Sequence, residues 1–84
     1  MFLVSRFVAE AIVLEVGSDS DNVIADTDEG IEVLAVPCEL DMEAITEYVV
    51  NQHDDVQDAE DDINEAFSEV DLTSNLLTTF YWDE

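Results

Sequence analysis

Seven carboxylates within sixteen positions are the residues of this chain best placed to do chemistry: Asp54, Asp55, Asp58, Asp61, Asp62, Glu65 and Glu69. On a helix advancing ~100° per residue, with Asp58 as the origin, all seven fall within about 60° either side. Carboxylates arranged this way can exchange protons in acid and base catalysis, hold divalent cations, or present negative charge to a cationic partner.

Acid and base catalysis is excluded by what accompanies them. With 23 acids in 84 residues, carboxylate pairs are unavoidable and point to no site. An active site adds groups of different character, such as a cation for developing charge, an activated nucleophile or a phosphate-cradling glycine loop. The chain has one Arg, Arg6, and no Lys. Ser18 and Ser20 sit in a turn with no His nearby in sequence, and the only imidazole, His53, precedes Asp54 and Asp55 and reads as a solvated side chain at a helix boundary. No catalytic residue and no cofactor are expected. Asp19-Ser20-Asp21-Asn22 and Asp26-Thr27-Asp28-Glu29-Gly30 resemble calcium loops only faintly. An EF-hand needs Gly at its sixth place and Glu at its twelfth; counted from Asp26 these places hold Ile31 and Pro37, and from Asp19, Ile24 and Gly30. No metal ligand set is expected.

The elements that carry these residues follow from periodicity. The expectation is an α+β domain spanning residues 1–84, a small antiparallel sheet packed against two helices in the order β-β-β-α-α-β. Phe2 to Val16, rich in Val, Ile, Phe and Leu, reads as a long strand bent near Ala9 and Ala11. A helix is the alternative there, because Leu3, Phe7, Ala11 and Leu14 fall at helical spacing. Turn clusters at Gly17–Asn22 and Thr27–Gly30 flank strands at Val23–Ala25 and Ile31–Val36, and Pro37 closes the second. From about 40 to 52 the period becomes helical, with Met42, Ile45 and Val49 on one side, Glu43 and Glu47 on the other, and Asp41 at the N-terminus where a carboxylate favours the helix dipole. A second helix runs from near Asp55 to near Val70, its core face made of Val56, Ala59, Ile63, Ala66, Phe67 and Val70. Leu76 to Trp82 reads as a strand returning to the sheet, with Phe80 and Trp82 inward and Tyr81 the exposed member. Arg6 is expected to be held by a neighbouring carboxylate. Cys38, the only cysteine, reads as a small buried hydrophobe in a reducing compartment.

Charge bounds the function further. The formal net charge is −22, while 48% of the residues are apolar, so the chain reads as a folded domain and not as an acidic tail. Direct binding to nucleic acid or to an anionic membrane would set like charge against like charge. The N-terminal apolar run opens without a basic region and is interrupted by Arg6 and Glu10, so a soluble, intracellular protein is expected. Residues 41 to 71 contain 12 acids and no Lys or Arg. Like charges three or four residues apart cost a helix a few tenths of a kcal/mol per pair, and solubility needs a net charge of only about 2 to 8. Such side chains stand ~5–6 Å apart, close to the spacing of successive phosphates on DNA. From Asp55 to Glu69 the stripe would run about 21 Å at ~1.5 Å per residue.

In composition over the whole chain, and in pattern over residues 41 to 71, the sequence resembles the small acidic DNA-mimic proteins with which bacterial viruses and mobile elements block host DNA-binding enzymes. These include restriction-enzyme inhibitors, uracil-DNA glycosylase inhibitors and some anti-CRISPR proteins. The class has no common motif or fold, so no residue is carried over by alignment. The resemblance implies a stoichiometric inhibitor acting in the host cytoplasm. It would occupy the basic groove of a DNA- or RNA-binding defence or repair protein, and a homodimer would lengthen its charged face. The rival reading is a small protein-interaction domain from a salt-loving host, whose acidity is adaptation to salt; acids outside the helices, including Glu10, Glu15, Asp19, Asp21, Asp26, Asp28, Glu29 and Glu32, suit it.

Overall fold

The computed structural model describes residues 1–84. Its elements are β1 (Phe2–Leu3), α1 (Arg6–Val16), β2 (Val23–Asp26), β3 (Gly30–Ala35), a 3-10 turn (Pro37–Glu39), α2 (Met42–Gln52), α3 (Val56–Phe67) and β4 (Thr78–Asp83). The class is α+β, as expected, but three helices are present and the order is β-α-β-β-α-α-β.

The difference lies in the N-terminal segment, where a helix stands in place of the long strand. Ser5 caps it, its Oγ accepting the N–H of Val8 at 3.2 Å, which satisfies one of the donors a helix start leaves unpaired. Arg6 and Glu10, one turn apart, form an ion pair on its surface. Gly17 ends it with φ 104°, a conformation other residues adopt only at a cost, and its N–H reaches the carbonyl of Val13. The buried face is Val8, Ala9, Ala11, Ile12 and Val13, while Leu14 is exposed. The helix is wedged between the sheet on one side and α2 and α3 on the other. A helix covered on several sides is apolar over most of its girth, so its composition matches that of a strand.

The sheet runs β1-β4-β3-β2. β2, β3 and β4 are antiparallel, and β1 adds two residues parallel to β4, making the sheet mixed where an antiparallel one is expected. Ile31, Val33 and Ala35 alternate inward along β3, opposite Trp82, Phe80 and Thr78 of β4, as period-two geometry requires. Phe80 is fully buried, stacked on Phe2 and tilted against Phe67 of α3, each at 6.0 Å between ring centroids. Trp82 and Tyr81 are both half-buried, on opposite faces. Leu76 and Leu77 precede the strand and are exposed, although the sequence places them in it.

α2 begins at Asp41, whose carboxylate accepts the N–H groups of Glu43 and Ala44. It buries Ile45 and Val49, whereas α3 buries Ala59, Ile63, Ala66 and Phe67. Val56, assigned to the core face by its phase, is exposed because it lies in the first turn of α3, at the helix junction. Cys38 is also exposed, contrary to expectation: Pro37 takes the buried place in the 3-10 turn. No helix is long and apolar enough to cross a membrane.

Candidate partner-binding face

The carboxylate stripe rides mainly on α3, which exists because Asp55 caps it and because Ala59, Ile63, Ala66 and Phe67 fix its inward phase. Asp55 accepts the N–H of Gln57 at 2.9 Å and so works as a helix cap while remaining exposed. Asp54, in the junction before it, is exposed. Asp58, Asp61 and Glu65 project from the helix into solvent, and Glu69 is exposed in the turn beyond its C-terminus. Regular helical spacing is therefore confined to Asp58 through Glu65, about 10 Å of axis at ~1.5 Å per residue, and not the full 21 Å. Glu60, on another flank of α3, and Glu43 and Glu47 on α2 add further exposed carboxylates.

Asp62 departs from the stripe. Its side chain is only 17% exposed, and its Oδ2 accepts a hydrogen bond from Ser5 Oγ at 2.7 Å and lies 3.2 Å from His53 Nε2. Ser5 is the cap of α1, His53 the residue that ends α2, and Asp62 sits mid-way along α3, so one carboxylate ties three helices together. The His53 ring also meets Phe7 edge-on, 5.1 Å between centroids; it is half-buried, not the solvated side chain its position suggests. The phase of Asp62 carries a signal for this: at about 40° from Asp58 it borders Ala66 and Ala59, at roughly 80° and 100°. Ser5, His53 and Asp62 are the residue types of a hydrolase triad, but the geometry does not make one. The serine hydroxyl and the imidazole both address the same carboxylate oxygen, so the imidazole is not placed to take the serine proton. No cluster of three or more His, Cys, Asp or Glu side chains is arranged to hold a metal ion.

Away from the stripe, Arg6 is engaged by neighbours although it remains exposed. Its Nε donates to Glu10 Oε1 at 2.9 Å, Nη2 lies 3.7 Å from the fully exposed Asp28, and the guanidinium sits 5.4 Å from the Trp82 ring centroid. Glu10 accepts a second hydrogen bond, 2.6 Å long, from the Tyr48 hydroxyl of α2. That bond, then burial, then the Glu10 charge push the Tyr48 hydroxyl up to about 12. Asp71, in the loop after α3, is held below its ordinary value by the hydroxyl and then the N–H of Thr73.

No cationic side chain accompanies the exposed acids of α3, since the one arginine is engaged elsewhere. Over a total surface of 5203 Å² the net charge amounts to one per about 240 Å². B-DNA, at one charge per ~1.7 Å on a cylinder of about 10 Å radius, carries one per roughly 110 Å². Carboxylates three or four residues apart on a helix stand ~5–6 Å from one another, and exposed acceptors of this kind can take hydrogen bonds from Arg and Lys. No protein-family model matches the chain, and no curated protein or solved structure shows significant similarity to it.

Proposed function

We propose that the protein is a DNA-mimic inhibitor that occupies the basic nucleic-acid-binding groove of a host defence or repair protein. The observation that carries this reading is the outward face of α3, where Asp58, Asp61 and Glu65 stand in helical register with no interleaved cation. Asp54, Asp55 and Glu69 extend it at either end, whereas Asp62 supports it from within. A partner Arg would engage these carboxylates in the two-pronged geometry it uses on phosphate. Affinity should fall steeply with salt, and excess DNA should displace the protein.

Capture of partners from host lysate at moderate salt, followed by elution with duplex DNA, tests the reading. Replacing Asp58, Asp61 and Glu65 by Asn or Gln should abolish capture, while replacing Asp19, Asp21 and Asp28 in the turns should cost less. Capture that resists salt and tolerates bound DNA would refute mimicry.

A second reading, salt adaptation, is favoured by one feature. Exposed acids decorate every part of the surface, including Glu15, Asp19, Asp21, Asp28, Glu39 and Asp83. It predicts equal effects from the two mutant sets.

A further inference from the structure

The helices cover one face of the sheet and leave the other open. Strand pairing places Leu3, Tyr81, Glu32 and Ala25 in one row across the open face, with Thr79 and Leu34 in the next. Leu3 is 62% exposed, and Ile24, at the bulge in β2, is 59% exposed. At one end of the sheet Leu34 joins Leu77, 53% exposed, around a depression of about 250 Å³ that Val36 and Leu40 line together with the carboxylates Glu15 of α1 and Glu39. At the β1 edge Leu3 lines a second depression together with Glu65 and Ala66 of α3. The apolar surface and the acidic stripe therefore meet at Leu3.

We propose that this open sheet face is the apolar half of the target-docking surface. Its occupant would be a protein surface on which Lys and Arg flank apolar or aromatic side chains. The proposal rests on the mimicry reading and adds to it that recognition is not purely electrostatic. Charge decides the occupant. A second copy would bring another −22 chain to within ~10 Å, the separation of packed sheets, setting Glu32 and Asp83 against their own counterparts with no cation between them. Area argues the same way: strands of 2, 4, 6 and 6 residues, ~4.8 Å apart at ~3.4 Å per residue, present roughly 300 Å², well under half of the ~800 Å² per partner in a standard interface. A basic partner reverses the sign at Glu32 and Asp83. By reaching across Leu3 to Glu65 it also gains further area, setting cations on Glu32, Asp83 and Glu65 and apolar side chains on Leu3 and Ile24.

Two synthetic helical peptides with the same number of lysines test this, one with a row of Leu along one face and one with Ser in its place. Their affinities are measured by fluorescence anisotropy at low, moderate and high salt against the wild-type protein and Leu3→Ser/Leu77→Ser. The Leu peptide should bind the wild type on the order of tenfold tighter, the worth of burying about one leucine. That advantage should persist at high salt and shrink to within about twofold in the variant. Both altered residues are exposed, and Ile24→Ser serves as a second probe if the double variant melts early. If both peptides bind equally, or the Leu advantage survives in the variants, the docking inference is overturned while salt-dependent binding still supports mimicry. If neither peptide binds even at low salt, the mimicry reading itself falls. Self-association of the wild type that Leu3→Ser abolishes would assign the face to a second copy and overturn the inference.

Discussion

Replacing Asp62 by Ala should destabilise the protein, although the same change at Asp61, one residue away, should stabilise it. Asp62→Ala removes the acceptor shared by Ser5 Oγ and His53 Nε2, at 2.7 and 3.2 Å, in a side chain 17% exposed. Hydrogen bonds to a charged group contribute roughly 1.5–3 kcal/mol each. Ser5 keeps its bond from the Val8 N–H, and the half-buried His53 can reach water, so the low end applies: a gross loss of about 3 kcal/mol from the two bonds. Against it stand relief of repulsion from Asp58 and Glu65, a few tenths of a kcal/mol per pair, and the better helix propensity of Ala, about half a kcal/mol. The net loss is about 2 kcal/mol, or roughly 8–16 °C in Tm at ~4–8 °C per kcal/mol for a domain of this size. Asp61→Ala lacks the lost bonds and keeps the gains, so its Tm should rise by a few degrees, whereas Asp58→Ala, in the first turn of α3, also gives up the favourable interaction of a carboxylate with the helix dipole. The assay is thermal denaturation followed by circular dichroism, with all variants at one fixed salt concentration because every exposed acid is screened alike. Asp62→Asn, which retains an acceptor oxygen, should fall between. If Asp62→Ala melts at or above the wild type, the carboxylate does not join the helices and belongs to the binding stripe after all.

Arg6→Ala should lower stability by about 1 kcal/mol, the sum of a half-exposed ion pair and a stacked guanidinium, read as the urea midpoint; an unchanged midpoint would show that Arg6 holds nothing. Tyr48 should ionise near pH 12, followed by tyrosinate absorbance. Because its folded value lies above the ordinary 10, the stability it contributes is complete below pH 10 and is lost as pH rises from 10 through 12. Glu10→Ala, which removes the hydrogen-bond acceptor and its charge together, should bring that ionisation down toward 10. Gly17→Ala should cost roughly 1–2 kcal/mol in the same urea titration through the backbone alone, since φ is 104° and a Cβ there meets no neighbour; a neutral result would mean that the α1 terminus relaxes freely.

The sequence by itself determined the parts whose partners are local. α2 and α3 are legible because one face of each meets solvent, so apolar and acidic residues separate at helical period, and because Asp41 and Asp55 cap them. The β2–β3 hairpin is legible from its turn residues, and so is the α+β class. The outward phase of Asp58, Asp61 and Glu65 follows from the same arithmetic. Tertiary structure decided the rest. α1 is packed on several sides, which erases the polar stripe that marks a helix; only Ser5, the Arg6–Glu10 spacing and Gly17 betray it. Asp62 turns inward because Ser5 and His53, 57 and 9 positions away in the chain, converge on it. Pro37, not Cys38, fills the buried place in the 3-10 turn. The open sheet face arises because all three helices gather on the opposite side, and alternation along a strand says that two faces exist without saying which one a helix will cover. Local spacing fixes phase, whereas the choice of what lies against each face is made by contacts between segments far apart in the chain.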